Sequence, residues 1–165
     1  MKKKALWILC LVLLLAAALT VGLIVRNRQI AGETAGEITL RIQGQTRRIR
    51  ISDLDRETFS GETVNGKGDR FSHSYRGIAL KTMLEEQQVD PAAVSSVKAI
   101  SADQFSAEYT SAEILEKDRV YLAVQMDGKT LEGIEKGIPG VQMVVFGDPD
   151  SKRNVRSLSV IEVNP

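Results

Sequence analysis

The chain has 165 residues, 22 basic and 21 acidic, for a formal charge of +1 at neutral pH. Taking away Lys2, Lys3 and Lys4 leaves 22 less three, or 19, basic residues against 21 acidic ones, which excludes the strong basic surface that a nucleic-acid partner needs. With one cysteine, Cys10, and one histidine, His73, a single chain has neither an intramolecular disulfide nor a zinc site built on Cys and His.

Lys2-Lys3-Lys4 is followed by an uncharged run, Ala5 to Val25, closed by Arg26-Asn27-Arg28. As a helix such a run crosses a hydrocarbon core of about 30 Å. The basic head favours a cytoplasmic N-terminus, so the rest of the chain is expected outside the cell membrane on a single-pass anchor. This arrangement fits a bacterial cell envelope. The rival is a cleaved signal peptide ending near Ala16-Ala17-Ala18, but Val21 to Val25 continues the apolar run past that point. Residues 1–28 are therefore read as the anchor (or signal peptide), residues 29–36 as a small, polar linker, and residues 37–165 as one domain.

Within the domain, Ile38 to Ile42 and Ile49 to Ile51 alternate as strands around a Gly44-Gln45 turn. Ser52-Asp53-Leu54 offers an N-cap for a short helical turn. Phe59 to Val64 and Arg70 to Tyr75 read as paired strands, with Asn65-Gly66-Lys67-Gly68 turning between them. Ala79 to Gln87 predicts a helix, because Leu80, Met83 and Leu84 share one face. Strands follow at Ser96 to Ile100 and Phe105 to Tyr109, then a short helix from Ser111 with that serine as cap. Val120 to Met126 is a buried strand ending in an Asp127-Gly128 hairpin signal. Val141 to Phe146 and Val155 to Val163 complete the set. Many short strands with few short helices make this an α+β, β-rich mixed fold.

Four segments, in this order, resemble the sulfite-oxidase-type molybdopterin-binding domain. They are Tyr75 to Leu84, Ser101 to Ser106, Leu122 to Leu131, and Gly137-Ile138-Pro139 with Val141 to Phe146. The resemblance spans nearly all of residues 38–163 and implies that fold. In the family, the strand before the glycine-rich turn ends in a cysteine whose thiolate binds molybdenum. The corresponding place here is Thr63 or Val64, and neither replaces a soft thiolate. The expectation is a non-catalytic module binding a small anionic ligand or an envelope protein, with no cofactor. The alternative is a pterin-binding oxidoreductase, or an accessory subunit of a membrane redox system, with molybdopterin as its cofactor.

Candidate cleft residues are Thr63, Asn65, Lys67, Arg70, His73 and Tyr75. Lys and Arg here would supply charge-assisted hydrogen bonds to an anion. His73 has the plainer reading of a hydrogen-bonded strand residue, and Asp103 and Asp127 that of turn formers. Asp148 to Arg153 reads as a surface loop, with a lid as its alternative.

Overall fold

The computed structural model describes residues 36–165. Ten strands are arranged in two sheets. They are β1 (Glu37–Ile42), β2 (Gln45–Arg50), β3 (Glu57–Val64), β4 (Arg70–Ala79), β5 (Ser96–Ser101), β6 (Ser106–Thr110), β7 (Val120–Met126), β8 (Lys129–Thr130), β9 (Gln142–Val145) and β10 (Leu158–Asn164). Two short helices, α1 (Leu80–Glu86) and α2 (Ser111–Leu115), interrupt them. Among the described residues no helix is long and apolar enough to cross a membrane, and the segment read as an anchor lies outside them.

The first sheet runs β2-β1-β10-β5-β6. Its one parallel pairing sets β1 against β10, with Leu40 opposite Ile161. The second sheet runs β3-β4-β7, and β8 and β9 both pair with the far side of β7. One core lies between the sheets. Ile38, Leu40, Val97 and Ile161 supply it from the first sheet, Ile78, Leu122 and Met143 from the second, and Leu80, Met83 and Leu84 from α1. The period-two and i, i+3, i+4 patterns of the sequence are thus the pattern of burial.

Several boundaries differ from the sequence reading. The first turn is Gln43-Gly44, both with positive φ (47° and 81°), the type I′ geometry that suits strand twist. β4 continues to Ala79, and α1 begins only at Leu80. The short helical turn Ile51–Leu54 has no side-chain cap. The cap of α2 is Thr110 rather than Ser111, and Thr110 and Glu113 form a reciprocal capping box. At the end of α1 the Arg47 guanidinium donates to the Gln87 carbonyl at 2.5 Å, satisfying an otherwise orphaned helix acceptor.

The β4–β7 pairing holds one irregularity. Arg76 lies opposite Gln125 but Gly77 lies opposite Ala123, so Val124 is an extra residue on β7. Gly77 is packed so closely here that a Cβ would stand 1.9 Å from the Leu122 carbonyl oxygen. By contrast, Gly66 has no atom within 4 Å of a built Cβ.

The connection from β9 to β10 is fastened by charge. Arg153 donates to both oxygens of Asp148 at 2.7 and 2.6 Å and to Glu113 on α2 at 2.6 Å. Arg119 adds a bond to Asp148 at 3.1 Å, and the Asp148 side chain is only 8% exposed. Fork geometry of this kind is the strong form of an ion pair. Residues 148–153 are therefore pinned to α2.

Two outcomes follow. Gly77→Ala is expected to cost at least ~3 kcal/mol in a denaturant titration, because backbone must move, whereas Gly66→Ala should change stability by less than about 0.5 kcal/mol. The Arg153 guanidinium, as hydrogen-bond partner, lowers the Glu113 carboxyl from 4.5 in its ordinary state to about 2. A depressed folded-state value gives stability that is complete above the unfolded value and is lost as pH falls from 4.5 towards 2. Glu113→Gln should remove a loss on the order of 2–3 kcal/mol across that window, measured as unfolding free energy against pH.

Candidate functional site

The stretch holding the candidate residues is the β3–β4 hairpin. Its turn is organised by Asn65. The Asn65 carboxamide oxygen accepts from the backbone N–H of Lys67 at 2.8 Å and of Asp69 at 3.0 Å, and its amide donates to Asp69 at 2.9 Å. Gly68, at φ 88°, takes the left-handed position that closes the loop. The Asn65 side chain is thus committed to the turn. Lys67 stands exposed at its tip.

Register then sorts the remaining candidates. Directly opposed residues of an antiparallel pair share a face. Thr63 lies opposite Phe71, Gly61 opposite His73 and Phe59 opposite Tyr75, so these six share one face. Arg70 lies on the other face, where it forms an ion pair with Glu62. The hairpin therefore brings Thr63, His73 and Tyr75 together and directs Arg70 away from them, with its charge already matched.

The shared face carries a row of rings. Tyr121 on β7 stacks on Phe59 with centroids 4.0 Å apart, and Phe59 stacks on Tyr75 at 5.5 Å. The row continues from Tyr75 to His73 at 6.0 Å and from His73 to Phe71 at 6.2 Å. Phe146 packs against Tyr75 and Tyr121, and its ring fills the space above Gly61. The row passes from buried to open: Tyr75 is 2% exposed and Phe71 is 45% exposed. Burial is the main cause that raises the Tyr75 phenol above its ordinary value, against a lowering hydrogen bond with Thr63.

His73 is held from another element. Its Nδ1 lies 2.7 Å from a carboxylate oxygen of Asp127, at the β7–β8 turn. The other Asp127 oxygen accepts from the Ser74 N–H at 3.0 Å, and the Asp127 N–H donates to the Ser74 carbonyl at 2.7 Å. The Ser74 N–H and then His73 lower the Asp127 carboxyl below its ordinary value. In neutral His73 this arrangement places the proton on Nδ1 and leaves Nε2 as the free acceptor.

Asp127, Phe71, Phe59, Tyr121 and Phe146 were not among the candidates from sequence. The alternation of Phe71, His73 and Tyr75 was a legible sign of a shared face. The contribution of Asp127, 54 residues from His73, had no local sign.

Elsewhere, a groove of about 390 Å³ lies between the start of β1 and the end of β7. Glu37, Arg50, Asp55 and Gln125 line it. Three of these bond to protein, Arg50 to Asp53 at 3.2 Å, and Asp55 to Arg76 at 2.7 Å and Gln125 at 3.4 Å, whereas the buried Oε2 of Glu37 has no hydrogen-bond partner and meets only Arg48, at 3.8 Å.

Residues 29–165 match the family described as oxidoreductase molybdopterin binding domain. The chain belongs to that family. No curated protein matches it. Among solved structures it is similar to the sulfane dehydrogenase SoxCD from Paracoccus pantotrophus, with TM-score 0.63 and 16% identity. That match covers 80% of this chain and 39% of the other, so the chain spans well under half of its neighbour's length and the likeness is one of fold.

The family name raises the question of a molybdenum centre. The only cysteine is Cys10, so residues 36–165 contain no thiol. Among the described residues, no group of three or more His, Cys, Asp and Glu side chains is placed to hold a metal ion. Thr63 offers only a neutral hydroxyl, and Val64 has no donor on its side chain. The donor set of this molybdopterin-binding-type domain does not fit a thiolate-held metal.

The geometry of His73 is open to a direct check. A ¹⁵N-resolved spectrum of the neutral imidazole should show Nδ1 protonated and Nε2 bare. Asp127→Ala should redistribute the proton towards Nε2. An unchanged tautomer in Asp127→Ala would mean that the carboxylate does not set it.

Proposed function

We propose that this chain is a non-catalytic binding module on the molybdopterin-oxidoreductase fold, held outside the cell membrane by its N-terminal apolar segment. The observation that carries the reading is the donor chemistry of residues 36–165, which offers no thiolate for molybdenum. A fold that keeps its core but not a metal ligand keeps a surface for recognition rather than redox turnover.

The hairpin face is the proposed recognition surface. Phe71 presents an exposed ring, His73 a fixed imidazole, and Lys67 a cation at the rim. Such a surface suits a small ligand with an anionic group and a flat apolar part, or a side chain of similar chemistry on an envelope protein. Arg70 contributes less than its charge promises, since Glu62 already neutralises it.

The second reading is a pterin-binding oxidoreductase or an accessory subunit of a membrane redox system. The family match over residues 29–165 favours it, together with the aromatic row, which offers a stacking face to a planar ring. Pterin contacts do not all require a metal ligand, so the missing thiol bears on metal first.

One experiment separates the readings. The full chain is expressed in a host that makes molybdopterin, purified in detergent, and analysed for molybdenum and for the fluorescence of oxidised pterin. The binding-module reading expects neither in stoichiometric amount. Stoichiometric molybdenum with pterin overturns it, and pterin without metal moves the assignment to a cofactor-binding accessory.

A further inference from the structure

Among the described residues, every arginine but one has a partner within the chain. The others pair with carboxylates, except Arg47, which bonds to the Gln87 carbonyl. Arg156 has neither an ion pair nor a hydrogen bond to protein, and it is exposed.

The backbone on either side of Arg156 is fastened. The Met143 N–H donates to the Val155 carbonyl at 2.8 Å, and the Val155 N–H donates back at 3.1 Å. Ser157 holds φ 46°, a left-handed value that non-glycine residues seldom take. Its carbonyl accepts from the Ala102 N–H at 2.9 Å. The Leu158 N–H donates to the Val141 carbonyl at 2.8 Å. A strained conformation persists only where its surroundings over-determine it. A free side chain therefore rises from a fixed stem.

Parity gives the side on which it stands. Val155 lies opposite Met143, and Met143 lies opposite Leu122 on β7; all three face the main core. The next residue, Arg156, is turned to the other side. That side carries Tyr121, Ala123 and Val144, packed with Tyr75 and Phe146. Burial, which raises the Tyr75 phenol, is the largest cause acting on it, and the charge of Arg156 works against it there. Arg156 thus belongs to the face of His73 and Phe71, on the side of Tyr75.

We propose that Arg156 binds the anionic end of the ligand of the hairpin face, and that this ligand is a flat ring bearing a carboxylate or phosphate group. The inference rests on the binding-module reading. A guanidinium presents parallel N–H donors that match two oxygens of either group. No protein acceptor uses those donors in Arg156. The ring of the ligand lies along the aromatic row, against His73 and the exposed Phe71, where stacking and edge contacts are on offer. Lys67 has no planar fork, and Arg70 is matched by Glu62 on the opposite face. Asp127, whose charge also reaches Tyr75, is held by His73 and the Ser74 N–H.

The test uses the full chain in detergent at low salt, with molybdenum and pterin assayed on the same preparation. Benzoate and phenyl phosphate are titrated by calorimetry, and inorganic phosphate is the ringless control. Both ring-bearing probes should bind saturably, with inorganic phosphate weaker by about tenfold or more. The tighter of the two identifies the oxyanion. Arg156→Gln should weaken both by at least ~tenfold. Arg156→Lys keeps the charge but loses the fork, and should weaken both by about threefold or more. Lys67→Ala should change affinity by less than about threefold. Melts of both Arg156 variants should match the parent, since the side chain has no partner to lose. Absence of saturable binding by either probe overturns the proposal. So does an affinity of Arg156→Gln within about threefold of the parent, or inorganic phosphate binding as tightly as phenyl phosphate. In cofactor-free protein each of these results leaves the binding-module reading standing. Stoichiometric molybdenum and pterin in that preparation overturns the reading, and the choice of ligand with it.

Discussion

A single extra residue on β7 governs the second sheet. With Val124 bulged between its neighbours, the strand reverses parity along its length. Tyr121 and Ala123 face the aromatic cluster, and beyond the bulge Met126 faces it too, opposite Tyr75. Val120, Leu122 and Val124 face the main core. The irregularity is tolerated because Gly77 gives the backbone of β4 room to approach Leu122. Any larger residue at 77 forces the strands apart and undoes the two-sided burial. The ring row on the hairpin face, the position of Asp127 beside His73, and the meeting of Arg76 with Asp55 all inherit their register from this place.

Much of the fold could be read in the sequence because it is written in short periods. Alternation in Ile38 to Ile42, the apolar run of Val120 to Met126, and Leu80, Met83 and Leu84 on one helical face each report on their own neighbourhood. The capping box of α2 was also legible, since Thr110 and Glu113 have the required spacing; the adjacent Ser111 is an equally good cap by type and obscured it. The bulge at Val124 was not legible. It depends on how two strands with forty residues between them, 80–119, meet, and no local pattern records that.

The candidate site divides along the same line. Thr63, His73 and Tyr75 fall together because they obey one period-two pattern across a hairpin. Arg70 obeys the opposite phase, and residue type alone placed it with them. Asn65 looked like a ligand group and proves to be the scaffold of its own turn. Arg153 shows the reverse error: in sequence it sits in a polar loop, and in space it joins two carboxylates from different elements. Polar residues in loops take their meaning from distant partners, which composition does not show.

β10 is the last strand in the chain and lies at the centre of the first sheet, between β1 and β5. It bonds in parallel to the strand at the other end of the domain, more than a hundred residues away. Order of synthesis thus runs against order of assembly. β1 leaves the ribosome first yet has only β2 for company until residues 158–164 have been made. During that interval the apolar side of a two-stranded ribbon, with Ile38 and Leu40, has nothing to cover it. Non-local pairing of this kind folds slowly and prolongs exposure. The first sheet is therefore complete only once residue 164 has been made, and until then the uncovered ribbon is open to chaperones and proteases.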